Sequence, residues 1–124
     1  MTKHKHSIRQ SVVFAIRGLA VAWQEKHIRL ELVIALLVSG AGWYFHITRT
    51  EWLICFLLFG LVIGLEVMNT AVERLVDMVQ PDWDERAGNI KDLSAGAVLC
   101  ACIFAALAGI LIFGKYILAL LESI

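Results

Sequence analysis

Glu66-Val67-Met68-Asn69-Thr70-Ala71-Val72-Glu73-Arg74-Leu75-Val76-Asp77 follows directly on an uncharged apolar run, Trp52 to Leu65, and reads as a continuation of the same helix. At roughly 100° per residue, Glu66, Asn69, Thr70, Glu73 and Asp77 fall within an arc of roughly 100°. One face of one helix therefore carries three carboxylates and an amide, and its deep end begins inside hydrocarbon. A lone carboxylate at the bilayer centre costs on the order of 3 kcal/mol or more. A helix leaving the membrane through a solvated acidic turn accounts for Asp77 and Glu73. It gives Glu66 no structural reason, so chemistry is expected along this strip.

The surrounding composition agrees. The 124 residues suit one domain, and 60% hydrophobic with 18% charged marks an integral membrane protein rather than a soluble one. Formal net charge is zero, so no overall basic field argues for nucleic acid. Cys55, Cys100 and Cys102 all sit in apolar runs and read as small packing residues, not as a disulfide framework. The N-terminus is polar and basic, and no cleavable signal segment is expected.

Taken in order, Met1 to His6 is a polar tail whose His4 and His6 read as solvated. Residues 7–24 form an amphipathic surface helix: Ile8, Val12, Ala15, Ile16, Leu19 and Trp23 share one arc. On its other face Phe14 stands among Ser7, Ser11 and Gly18, either as a stacking surface or packed on a neighbouring helix. Three spans follow, at about 28–47, 52–79 and 90–114, the third with an uncharged run of about 31 Å against a hydrocarbon core of about 30 Å. Thr48 to Glu51 reads as the turn between the first two, Gln80 to Asn89 as a loop, and the residues after 114 as a tail. Trp43, Tyr44 and His46 read as an interfacial belt. Gly60 and Gly64 form a G-x-x-x-G that invites close helix approach, as do the small residues Ser94 to Ala97.

Lys and Arg concentrate before the first span and between the second and third, with only Arg49 and Lys115 on the other side. The positive-inside rule then puts the N-terminus in the cytoplasm, and with it Glu25, Glu31, Glu73, Asp77, Lys91 and Asp92. Acids in this number point to magnesium, which is usually held by one or two carboxylates plus substrate phosphates. Glu25 and Glu73 are candidate ligands, Lys91 a candidate phosphate clamp, and Glu66 a general base for a hydroxyl at membrane depth. Gly109 to Tyr116 nearly matches a P-loop, but Tyr116 replaces the metal-binding hydroxyl residue and the run is apolar within a span, so it is rejected. The alternative is a small proton-coupled transporter subunit using Glu66. That role asks for a carboxylate near the midplane with polar groups toward both faces.

The run Glu66 to Glu73 with Asp77, followed by Ala87-Gly88-Asn89-Ile90-Lys91-Asp92, resembles the prokaryotic diacylglycerol kinase and undecaprenol kinase family, whose pattern is E-x-x-N-[ST]-A-x-E-x-x-x-D, a loop, then A-K-D. Glu25 and Arg29 supply the Glu-x-x-x-Arg element before the first span. The resemblance implies an all-α trimeric bundle of three-span subunits with shared sites, in the bacterial cytoplasmic membrane. It further implies transfer of phosphate from ATP to a membrane lipid alcohol, with Mg2+. Position by position it implies Glu66 as catalytic base, Glu25 and Glu73 as metal-ATP ligands, and Asn69 beside the reacting centre. Phe14, Asp82, Trp83, Asp84, Lys91 and Asp92 would contact ATP, Arg9 is a further nucleotide candidate, and Asn69 and Ala95 would meet the lipid. Phe14 stands where a Tyr occurs in diacylglycerol kinases, His27 where undecaprenol kinases often show Asn, and Ile90 where Ala is common. Ala95, within Leu93-Ser94-Ala95-Gly96-Ala97-Val98, leans toward the undecaprenol branch.

Overall fold

The computed structural model describes residues 5–124 and is all-helical among them: α1 (Ile8–Ala22), α2 (Lys26–Phe45), α3 (Arg49–Val79) and α4 (Glu85–Glu122). Residues 1–4, with Lys3 and His4 of the polar tail, lie outside the described residues. α2, α3 and α4 are each long and apolar enough to cross a membrane, as the three uncharged runs lead one to expect.

Local chemistry sets the helix ends. Ser7 caps α1 in a reciprocal capping box with Gln10, and Thr48 caps α3 in the same way with Glu51. Between α2 and α3 the chain reverses over three residues. His46 takes the left-handed conformation (φ 52°) and the Ile47 N–H donates back to the Gly42 carbonyl at 3.2 Å. Arg49 to Glu51, read from sequence as part of a turn, are thus the first turn of α3. His46, read only as a belt residue, is the helix terminator. Asp84 caps α4, accepting from the N–H groups of Arg86 (2.8 Å) and Ala87 (3.2 Å), so the second connection shortens to Gln80–Asp84. α4 also runs on to Glu122 through the stretch read as a tail. Tyr116 to Leu121 contain no glycine or proline to stop it.

α3 is the hub, packing on α4 and α2 and touching α1. Its reversal from α2 is tight at Gly42, where an added Cβ would come within 2.9 Å of both Ile47 and the Trp52 ring. Gly42→Ala is expected to destabilise the fold by about 1–3 kcal/mol, the cost of overpacking a filled site. An unchanged thermal midpoint in detergent micelles would show that Trp52 can swing aside.

Two ion pairs clamp α3 to α4. Lys91 pairs with Asp77 at the acidic end. At the far end Glu51 accepts from the Tyr116 hydroxyl (2.5 Å) and the Thr48 N–H (3.0 Å) and pairs with Lys115 (3.1 Å). Glu51 and Asp77 are about 39 Å apart along α3, and Lys91 and Lys115 about 36 Å apart along α4. The clamps therefore bracket a hydrocarbon core of about 30 Å. Glu51→Ala should lower the thermal midpoint more than Glu51→Gln, because glutamine keeps an acceptor for Tyr116 and Thr48 and loses only the charge facing Lys115. Equal midpoints for both variants and the parent chain would remove the clamp from the account.

The accessible surface is 9842 Å² for 13.8 kDa, against roughly 6,600 Å² for a compact soluble monomer of that mass. The excess is apolar: Leu36, Leu57, Phe104 and Leu111 are among the large residues left exposed on the three long helices. Such a surface is stable only against lipid or other copies, and the protein is a membrane protein. Gly60, Gly64 and Gly96 meet nothing within 4 Å, so the close approach that these positions invite is not made by helices of the same chain.

Candidate functional site

The polar groups of α3 enter the apolar layer from one end only. Between Glu51 and Glu66 the helix is uncharged for fourteen residues, about 21 Å, and α2 has a similar uncharged length beyond Glu31. On α4 the uncharged run Leu93 to Gly114 is about 33 Å. Two helices therefore carry charge about 10 Å deeper than the third, and the result is a polar notch cut into one leaflet. The transporter arrangement asks for polar groups on both sides of the buried acid. Here the next charge beyond Glu66 on α3 is Glu51, at the far clamp.

Glu66 sits at the bottom of the notch, only 7% exposed. Its backbone carbonyl accepts from the Thr70 hydroxyl at 3.1 Å, but among the described residues no donor holds its carboxylate. The ionisable groups that act on it through space are His27 and Glu31 from α2, Glu73 one level up α3, and Glu25. Asn69, also buried, donates its Nδ2 to Glu73 at 3.3 Å, and its Oδ1 has no partner. A buried carbonyl oxygen left unpaired is uncommon and marks a place where a donor is missing. Arg74 holds Glu25 at 3.0 Å, which ties the start of α2 to the acidic strip.

Glu25, Glu66, Asn69 and Glu73 are thus brought together, and Lys91 reaches the same helix face through Asp77 one turn beyond Glu73. The remaining candidates stand apart from this cluster. Phe14 is 46% exposed on α1, with the His6 ring edge-on at 5.0 Å and the Arg17 guanidinium 5.8 Å from its centroid. Asp82, Trp83, Asp92 and Ala95 are exposed, Trp83 at 90%. Asp84 serves the α4 cap; the Ala87 N–H and the Arg86 side chain hold its carboxyl below the usual carboxylate range. The Gly109 to Tyr116 run is continuous helix, not a phosphate loop.

For a divalent cation the donor set is hard and oxygen-based. Among the described residues no three His, Cys, Asp or Glu side chains form a ready-made cluster. Magnesium delivered with a nucleotide needs only one or two carboxylates beside the phosphates, and Glu25 and Glu73 are of that ligand type. The unpaired Asn69 Oδ1 next to Glu73 fits a site still short of a ligand.

Three features escaped the sequence. The Arg74–Glu25 pair joins residues 49 apart, and the Glu51–Tyr116 bond joins residues 65 apart. No local pattern announces either. Glu31, read only as one of the acids on the cytoplasmic side, lines a cavity between α2, α3 and α4.

Comparison with known proteins places this geometry. Residues 13–113 match the family described as prokaryotic diacylglycerol kinase. An undecaprenol kinase of Bacillus subtilis (strain 168) is 34% identical, over 84% of this chain and 85% of its own length. A diacylglycerol kinase of Escherichia coli (strain K12) is 30% identical over 74% of this chain and 76% of its own, and one of Helicobacter pylori (strain ATCC 700392 / 26695) is 29% identical over 90% and 84%. The matched span takes in Glu25, the whole acidic strip and the Lys91 clamp. That match covers most of the chain, so the chain belongs to the prokaryotic diacylglycerol kinase family and, with its three membrane-length helices, is a membrane-embedded kinase.

Proposed function

We propose that the protein transfers the γ-phosphate of ATP to the hydroxyl of a membrane lipid, diacylglycerol or undecaprenol, at the cytoplasmic face of the bacterial inner membrane. The observation that carries this reading is the buried Glu66, whose carboxylate has no donor among the described residues, on one face of α3 with Asn69 and Glu73. Glu66 takes the proton of the lipid hydroxyl as its oxygen forms the new bond to the γ-phosphorus. The bond from that phosphorus to the β–γ bridging oxygen breaks, and ADP leaves. Asn69 turns its free Oδ1 toward a donor at the reacting centre, while its amide keeps Glu73 in place. Glu25 and Glu73 would hold Mg2+, which when bound neutralises charge on the phosphates. Lys91, Asp92 and the 82–84 segment would steer the nucleotide, with Phe14 and Arg17 offering a stacking face, and Ala95 would border the lipid.

The exposed apolar side of α1 would rest on the membrane surface. Three copies would assemble through the bare glycine faces of α3, giving a homotrimer with sites shared between neighbours. The single 1–124 domain and its cytoplasmic N-terminus belong to the same reading. The test is direct: purified protein with ATP and magnesium is offered diacylglycerol and undecaprenol in separate micelle preparations. Phosphatidate or undecaprenyl phosphate is the expected product. No phosphorylated lipid from either, in protein that remains folded, would sink the proposal.

A further inference from the structure

Two cations stand beside the acidic strip, and each is parked on an acid. Lys91 pairs with Asp77, and Arg74 pairs with Glu25 at 3.0 Å. Arg74 follows Glu73 directly on α3 and lies one turn beyond Thr70, at the edge of the strip. Asp77, three residues on, is the partner that helix spacing offers it, but Lys91 holds that carboxylate. The guanidinium reaches across to the start of α2 instead. Glu25 occupies the N-cap position of α2, yet its side chain makes no capping bond and accepts from Arg74. Among the described residues Glu73, beside Arg74 and one turn before Asp77, has only the Asn69 amide.

Stability does not account for the Arg74–Glu25 pair. Its side chains are 50% and 37% exposed, so it contributes little to the fold. A single guanidinium nitrogen makes the contact, although the group carries several N–H donors. Such a pair parts at small cost. Its acid is one of the two carboxylates assigned above to the metal, and it acts through space on Glu66 together with Glu31 and Glu73. A metal–triphosphate complex supplies a cation for such carboxylates, and its phosphates bring negative charge of their own. Arginine is the side chain best matched to phosphate, which it grips with two parallel N–H bonds. We propose that Arg74 is a nucleotide-binding residue with two partners: it holds Glu25 in the empty site as a resident counter-cation, and it passes to the phosphates when the metal–nucleotide complex takes that carboxylate. The inference rests on the lipid-kinase reading and adds to it a cation at a position that the E-x-x-N-[ST]-A-x-E-x-x-x-D pattern leaves open.

The experiment uses the full chain in detergent micelles and two binding probes. One is Mn2+ alone, titrated by electron paramagnetic resonance; the other is a non-hydrolysable ATP analogue with magnesium, followed by calorimetry. Arg74→Gln should bind Mn2+ about two- to fivefold more tightly than the parent chain, the range open to competition from an exposed ion pair. The same variant should bind the analogue about tenfold more weakly, the loss of one charge-assisted contact. Arg74→Lys keeps the competing charge without the fork, so its Mn2+ affinity should match the parent's while analogue binding still weakens. Should Arg74→Gln fail to fold, that split in Arg74→Lys carries the test. Unchanged affinities for both probes in both variants overturn the inference and leave a surface pair. Weaker binding of both probes together also overturns it, because Arg74 would then only brace Glu25, and so does an absence of Mn2+ binding from parent and variants alike. A parent chain that binds no analogue at all overturns the kinase reading itself.

Discussion

Glu66→Gln is expected to lower kcat by a factor of about 10² to 10⁴, the usual contribution of a positioned general base. That is about 3–5 kcal/mol of lost transition-state stabilisation. The substitution is close to isosteric, and it removes a negative charge from a neighbourhood that already holds Glu25, Glu31 and Glu73. Among the described residues no donor depends on the carboxylate, so no hydrogen bond to it is lost and the thermal midpoint should hold or rise. The KM for ATP should also change little, because the proposed arrangement sets the nucleotide against Glu25 and Glu73 rather than against this residue. A fall confined to kcat, in a protein of unchanged midpoint, separates a chemical role from a structural one. Turnover within tenfold of the parent chain would falsify the assignment of Glu66 as base.

The parts of the molecule legible in its sequence are those fixed by local pattern. Uncharged runs of membrane length and a period of 3.6 that lines Glu66 up with Asn69 and Glu73 depend on neighbours within a few residues. The Asn69–Glu73 bond is such a case, an i, i+4 pair on one helix face. Helix ends were less legible. The tight reversal at His46 depends on a left-handed residue that is not glycine, and α4 continues past Lys115 because a charge alone does not end a helix. What stayed hidden was long-range partnership. Glu51 looked like a turn residue and Lys115 like an isolated cation, yet they meet through the antiparallel register of α3 and α4, which no single helix encodes. The cavity is of the same kind: Glu31, Val62 and Phe113 line one space only once three helices are assembled.

Glu73→Gln probes the other half of the site. Glutamine keeps the volume and an oxygen able to accept from Asn69 Nδ2, now 3.3 Å away, so the buried amide keeps its partner and α3 its packing. The lost feature is charge. Glu25 is already shared with Arg74 at 3.0 Å, a pair whose side chains are 50% and 37% exposed and which therefore contributes little to stability. With Glu25 partly neutralised in this way, Glu73 is the stronger anion available to a nucleotide-borne cation. Its neutralisation is expected to cost about 10²- to 10³-fold in kcat/KM for ATP, comparable with loss of one preorganised electrostatic contact to a reacting group. The magnesium concentration at half-maximal rate should rise with it, and raising magnesium should recover part of the activity, which it would not do for Glu66→Gln. KM for the lipid should stay near the parent value, because the proposed arrangement receives the alcohol one level deeper. Should Glu73→Gln instead alter lipid KM and leave the magnesium requirement unmoved, Glu73 would belong to the acceptor pocket and the metal would have to be held elsewhere.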